Sequence, residues 1–216
     1  MNIVFFGPPG SGKGTQAEKI GKKFKFHKVS TGDLLRDSIK QKSPLTKEIK
    51  NTLEKGQFVS DEIVLKLIEN VISKKENFNK LIFDGYPRNI SQAYSLENLL
   101  KKYNQKISCV FSLNVDEDLL LKRLIGRLVC SKCGLTFNKS FNAPNKTHHL
   151  CDNKFLEKRS DDNETTIKNR FKTYKKETLP VLKFYKEQKL LREIDGMGEI
   201  NEIYSEIGSI ITSLET

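Results

Sequence analysis

The 216-residue sequence predicts an α/β fold, a five-stranded parallel sheet flanked by helices and organised as a phosphate-loop fold. Three observations point there. The first is a short apolar run, Ile3-Val4-Phe5-Phe6, that leads directly into GPPGSGKGT from Gly7 to Thr15. A buried strand, a glycine-rich turn and a helix start expose backbone N–H groups at the positive end of a helix dipole, and Lys13 adds a point charge. Such a cradle suits a polyphosphate, with a nucleoside triphosphate as the expected ligand. The second is Leu81-Ile82-Phe83-Asp84, a strand that ends on a carboxylate beside the loop, where it can hold a magnesium shell. The third is the alternation of strand-like and helical segments, which implies parallel strands with helices on both faces and a ligand at the strands' carboxyl ends.

Each element follows from local chemistry. Thr15 to about Lys23 forms a helix with Ala17 and Ile20 facing inward, and a second strand lies around His27–Val29. His27 reads as a strand-end surface residue, because no nucleophile or metal partner is near it in sequence. In Ser30-Thr31-Gly32-Asp33-Leu34-Leu35-Arg36, Ser30 or Thr31 caps the next helix, which carries Arg36 about one and a half turns in. The stretch to Val59 is helical in pattern but broken at Ser43-Pro44 and Gly56, a small insertion with little core that can act as a moving clamp. Ser60–Ser73 is a helix with an acidic first turn. Gly85-Tyr86-Pro87-Arg88 then turns the chain, with Gln92 one turn into the following helix, and strands four and five are Ser108–Val115 and Leu190–Ile194. A helix from Asp116 to about Arg127 puts Arg123 and Arg127 on one face, a spacing that repels unless an anion lies between. A long helix begins near Asn163, and Pro180 kinks or ends it.

Composition narrows the class. The formal charge is +11, from 38 Lys+Arg against 27 Asp+Glu, which suits nucleic acid or polyphosphate substrates equally. The seven arginines (36, 88, 123, 127, 159, 170, 192) decide between them, since all but Arg192 lie in or beside phosphate-binding motifs. Arginine offers phosphate a planar fork that lysine lacks. No run of about 18 apolar residues and no cleavable leader pattern is present, so a soluble cytoplasmic protein is expected. Four cysteines in such a chain do not suggest disulfides, and Cys109, within an apolar run, reads as buried and inert.

The other three cysteines cluster. Cys130-Ser131-Lys132-Cys133 is a knuckle of the zinc-ribbon kind, and fourteen residues later His148 and Cys151 repeat its spacing. The intervening stretch is poor in core residues, so a metal would replace a hydrophobic core. Cys130, Cys133, His148 and Cys151 are the expected ligands of a closed, structural zinc site. Unmetallated thiols, and a site that uses His149 or Asp152 in place of His148, remain the alternatives. Beyond this insertion, Asp161 and Asp162 are either helix-terminal charge or groups that orient arginines around a phosphate.

GPPGSGKGTQ, STGDLLR, FDGYPR with Gln92, the Arg123/Arg127 pair, the cysteine insertion, RSDDNE and Arg170 together resemble the nucleoside monophosphate kinases, adenylate kinases above all. The resemblance spans nearly the whole chain. It implies a core of residues 1–29, 60–125 and 164–216, a monophosphate-binding insertion at 30–59 and a lid at 126–163. It further implies reversible magnesium-dependent phosphoryl transfer between ATP and AMP, giving ADP, without a covalent step. By similarity, Gly10, Ser11, Gly12, Lys13, Gly14, Thr15 and Arg127 hold ATP. Its adenine is covered by Arg127 and by residues near Thr136 and Phe137, with a backbone contact near Gly198. Thr31, Arg36, Gln57, Val59, Gly85, Arg88 and Gln92 hold AMP. Arg88, Arg123, Arg159 and Arg170, with Lys13 and Asp84, surround the transferring phosphate. Departures from the family pattern are Gln57 where lysine is frequent, the missing fourth lid cysteine, and Met197-Gly198 after Asp195-Gly196. A monomer that binds neither membrane nor nucleic acid is expected. The alternatives are a uridylate/cytidylate kinase, which the long cysteine-bearing insertion disfavours, and a zinc-ribbon protein that binds nucleic acid, which the scarcity of ribbon aromatics disfavours.

Overall fold

Strand β1 (Asn2–Phe6) is buried along its whole length, as a central parallel strand must be when helices cover both faces. The computed structural model describes residues 1–40, 46–55, 57–146 and 149–215. The helix breaks expected at Ser43-Pro44 and Gly56, and the expected ligand His148, lie outside the described residues. Strands β2 (His27–Ser30), β3 (Leu81–Asp84), β4 (Ile107–Asn114) and β8 (Leu191–Asp195) join β1 in one parallel sheet of order β2-β3-β1-β4-β8. The five expected strands are all present. The sheet's two faces bury alternate residues of β1: Val4 and Phe6 pack with Val29, Phe83 and Tyr185, while Ile3 and Phe5 pack with Ile20, Phe111 and Ile207.

Helix α1 (Lys13–Phe24) follows β1, and α2 (Thr31–Lys40) and α3 (Thr46–Glu54) lie in the segment 30–59 expected to act as a clamp. Next come α4 (Asp61–Ile72), α5 (Ile90–Lys102) and α6 (Glu117–Ile125). A second, antiparallel sheet then inserts, of order β6-β5-β7, from β5 (Arg127–Cys130), β6 (Thr136–Asn138) and β7 (Leu156–Glu157). The chain returns through α7 (Glu164–Thr173), a π-helical turn at Tyr174–Thr178, α8 (Leu179–Glu187) and α9 (Ile200–Glu215). Pro180 stands in the first turn of α8, where its missing N–H costs nothing, so the long helix changes character at the π turn.

β1 lies between β3 and β4; the connection after β1 runs to β2 at one edge and that after β3 crosses β1 to β4 on the other side, so the loop after β1 sits at the switch point where α/β sheets bind ligands. Asp84 pairs in register with Phe5 and Ser30, at the same carboxyl edge. His27 is exposed and Cys109 buried, as expected, and burial pushes the Cys109 thiol up to about 11. Among the described residues, no helix is long and apolar enough to cross a membrane.

Candidate active site

The loop after β1 turns on left-handed glycines. Gly10 has φ +84°, and a Cβ there would stand 2.9 Å from Leu120 O, so neither conformation nor space admits a side chain. Gly12, also left-handed, is the N-cap of α1, so the helix's first N–H groups face the loop's concavity. Ser11 N–H donates to Pro8 O at 3.1 Å, while the buried Ser11 Oγ finds no partner. Lys13 Nζ folds back over the loop toward Pro8 O at 3.4 Å. Asp84 completes the wall, for a Cβ on Gly14 would lie 3.2 Å from Asp84 Oδ2. Thr15 stands in the first turn of α1.

A cleft opens beside this loop between the clamp and the core, lined by Thr31, Leu35, Gln57, Phe58, Val59, Gly85, Arg88 and Gln92. Thr31 was a candidate cap, but its Oγ1 donates to Gly85 O at 2.8 Å, and Ser30 Oγ instead accepts from Asp33 N at 3.3 Å. Arg88 is held from several sides. Its Nε donates to Gly85 O at 2.7 Å, its N–H to Gln92 Oε1 at 2.8 Å, its carbonyl accepts from Thr178 Oγ1 at 2.8 Å, and its guanidinium lies over the Phe58 ring at 5.0 Å. Arg36 pairs with Asp33 on the exposed side of the cleft.

The lid arginines are held by the acidic pair. Arg127 makes a two-pronged bond to Asp162, with Nε to Oδ2 at 2.7 Å. Arg159 grips Asp161 in the same manner at 2.9 and 2.7 Å, and Arg170 Nη1 bridges both carboxylates at 3.2 and 3.3 Å. Asp161 and Asp162 are therefore arginine-orienting groups and not merely helix-terminal charge, the role Asn163 and Glu164 take.

Six cations (Lys13, Arg36, Arg88, Arg127, Arg159, Arg170) share this region with four carboxylates (Asp33, Asp84, Asp161, Asp162), an excess that a polyanion would relieve. Burial pushes Lys13 down to about 8, Asp84 opposes it, and Arg170, Arg88 and Arg127 push it further down. Burial likewise lowers Arg88 and Arg170, each to about 10. Burial alone would raise the Asp161 carboxyl, but Arg159, Arg170 and Arg127 hold it well below the usual carboxylate range.

Cys130, Cys133, His149 and Cys151 bring one ligand atom each to within 4.8 Å of one another. Tetrahedral zinc bonds of about 2.3 Å set sulfur atoms roughly 3.8 Å apart, so the group needs little adjustment to close on an ion. Both nitrogens of His149 are buried without a hydrogen-bond partner, which a metal would resolve for one of them. Among the described residues the fourth member of the group is His149, the alternative to His148, which lies outside the described residues. The backbone N–H of His149 donates to Asn145 O at 2.8 Å, and its ring meets Phe137 edge-on at 4.9 Å, which turns it into the group.

The adenylate kinase family model matches residues 5–190. The chain is 46% identical to an adenylate kinase of Pelagibacter ubique over 98% of its own length and 99% of the relative's. It is 40% identical to one of Bacillus thuringiensis and 38% identical to one of Clostridium botulinum, over at least 98% of each chain. The chain belongs to the adenylate kinase family. With that membership it is a phosphotransferase, a nucleoside monophosphate kinase.

Two placements depart from expectation, the first drawn from residue spacing and the second from the family resemblance. Helix α6 ends at Ile125 with Gly126 as its C-cap, and Arg127 opens β5, so Arg123 and Arg127 do not share a helical face. Arg127 joins Lys13 and Arg170, whereas Arg123 Nη1 donates to Gly196 O at 3.2 Å and lies over the Phe141 ring at 5.7 Å. Phe137 is 4% exposed, its ring committed to the lid interior against His149 and not open to a nucleotide, while Thr136 is exposed. Gly198 is exposed just before α9, across from Glu202. Sequence reasoning missed Phe58, Asn138 and Asp61. Asn138 Nδ2 donates to Arg123 O at 2.8 Å, and a Cβ on Gly126 would stand 2.8 Å from that nitrogen, so these two residues pin the lid's root. Asp61 receives hydrogen bonds from Gln92 and Asn89.

Proposed function

We propose that this chain catalyses reversible transfer of the γ-phosphoryl group of magnesium-ATP to AMP, giving two ADP, by direct in-line displacement. The observation that carries the proposal is the convergence of Lys13, Arg88, Arg127 and Arg170 on the space between the phosphate loop and the Thr31–Gly85–Arg88 cleft. Phosphoryl transfer asks a protein for alignment and for positive charge on the equatorial oxygens, and neither needs a nucleophilic side chain. In this proposal the N–H groups of Gly10 to Thr15 hold the triphosphate and Lys13 pairs with its terminal phosphates. Thr31, Arg36, Gln57, Val59, Gly85, Arg88 and Gln92 take the acceptor. Arg127, Arg159 and Arg170, pre-aimed by Asp161 and Asp162, face the transferring group. Arg123, beside Gly196 and Phe141, is better placed for the donor base near Gly198, so it exchanges roles with Arg127.

The Asp84 carboxylate, against the loop, offers the hard oxygen that suits the magnesium accompanying ATP, which neutralises charge on the β- and γ-phosphates. Three thiols and a partnerless imidazole suit zinc in a structural role that ties the lid together. We divide the chain functionally into a core (1–29, 60–125, 164–216), a monophosphate clamp (30–59) and a lid (126–163). Both substrate sites lie in one chain, in keeping with a monomer, and four free cysteines are in keeping with the cytoplasm.

A coupled assay with magnesium-ATP and each nucleoside monophosphate tests the proposal. ADP should form from AMP and far more slowly from UMP or CMP. A folded protein that forms no ADP from AMP would overturn it.

A further inference from the structure

Gln92 is 2% exposed and lines the acceptor cleft. Its amide is held at both ends by partners whose polarity cannot be exchanged. The backbone N–H of Arg88 can only donate, and it donates to Gln92 Oε1 at 2.8 Å. An ionised Asp61 carboxylate can only accept, and its Oδ1 accepts from Gln92 Nε2 at 2.7 Å. Turning the amide over would set N–H against N–H at one end and oxygen against oxygen at the other. Asp61 Oδ1 also accepts from Asn89 Nδ2 at 3.4 Å, and Asn89 Oδ1, the N-cap of α5, accepts from Gln92 N at 2.7 Å. One carboxylate thus braces both the side chain of Gln92 and the cap that fixes its backbone.

With those bonds made, the amide keeps one N–H and one oxygen lone pair side by side. That pair complements a base edge with an amino donor next to a ring acceptor, the 6-aminopurine pattern. It opposes an edge with an oxo acceptor next to a ring N–H, the 6-oxopurine pattern. An amide free to turn by half a revolution reads either edge, whereas a locked one reads the first. We propose that Asp61 is a specificity-determining positioning residue: by locking the Gln92 amide it makes the acceptor site take a 6-aminopurine monophosphate and reject a 6-oxopurine one. The inference rests on the proposal above that Gln92 belongs to the acceptor site, and it takes the amide to face the acceptor base. Asp61 is not among the described residues that line the cleft, so in this proposal it acts through Gln92. Its other possible role, as first-turn charge on the dipole of α4, is shared by its exposed neighbour Glu62.

The test compares kcat/KM for AMP and for inosine monophosphate, which carries an oxo group in place of the amino group, in Asp61→Asn, Asp61→Ser, Glu62→Gln and Gln92→Leu. Asparagine and serine can both donate as well as accept, so each loosens the lock, and the second variant stands in if the first does not fold. We expect the AMP preference to fall on the order of tenfold in either Asp61 variant, about the worth of one charge-assisted hydrogen bond. The change should appear in the acceptor KM values, with the KM for ATP and the preference of Glu62→Gln unchanged. If Gln92→Leu abolishes the preference while both Asp61 variants keep it, Asp61 is only helix-end charge and the inference is wrong. If Gln92→Leu also keeps the preference, the acceptor-base assignment of Gln92 fails first.

Discussion

Lys13 stands where burial disfavours its charge and three arginines add to that against the pull of Asp84, so its ammonium is pushed down to about 8. A bound triphosphate would reverse that balance, because an anion beside the amine favours the charged form. Binding of ATP above pH 8 should therefore take up a proton, and affinity should fall as pH rises through and beyond 8. Calorimetry in two buffers of different ionisation heat reads this directly: uptake approaching about one proton at pH 9, and none from this group at pH 6.5. Affinity that stays flat from pH 7 to 9.5 would contradict the placement of Lys13 on the phosphates. The sequence marked this lysine by its glycine frame, yet its titration depends on Arg88, Arg127 and Arg170, which only the fold assembles. Asp61 was hidden for a related reason. An acidic residue in a helix's first turn already has a local explanation, so nothing in the sequence draws its carboxylate to Gln92, 31 residues on.

At the scale of elements, the parallel strands were legible because strands buried on both faces read as unbroken apolar runs, as in Leu81-Ile82-Phe83 and Cys109-Val110-Phe111. The end of α6 was misplaced although Gly126 signalled it, since the four-residue spacing of Arg123 and Arg127 suggested a continuing helix. In the proposed lid, the Cys-x-x-Cys knuckle marked the group of residues that could hold a metal, but spacing could not separate two adjacent histidines. The contact of His149 with Phe137, which lies in β6, turns His149 into the group, while His148 lies outside the described residues. The isolated protein should carry one metal ion per chain by mass spectrometry, and a chelator should lower its melting temperature by several degrees. His149→Ala should lose the ion, as should Cys133→Ser, whereas His148→Ala should retain it. Metal-free protein with unchanged melting would remove zinc from the account, and metal loss on changing His148 alone would restore the spacing-based ligand set.

The molecule as a whole brings together segments that sequence order keeps far apart. Thr166 Oγ1, on α7, donates to Glu54 O at 2.9 Å across 112 positions, and Asn169 Nδ2 reaches Lys55 O at 3.5 Å. Those carbonyls end the clamp helix α3 and have no partner within it, so α7 satisfies them only while the clamp lies against the core. Arg159 adds a second link, its charge favoured by Asp33 as well as by Asp161. Such contacts carry no local sequence signal, because hydroxyl and amide side chains on a helix surface are ordinary. In the proposed function they would set how readily the acceptor cleft closes, the step that would exclude water from the phosphoryl transfer. Thr166→Val keeps the shape of the side chain and leaves the backbone bond to the Asn163 cap intact, while removing the hydroxyl donor. Loss of a hydrogen bond worth about 0.5–1.5 kcal/mol should shift the clamp toward its open form and raise the KM for AMP by roughly two- to tenfold. The KM for ATP should not move, because the phosphate loop and the Arg127–Asp162 pair lie outside the clamp. Equal rises in both KM values would mean instead that Thr166 supports the core helix, and the clamp would owe its closure to Arg159 and Asp33.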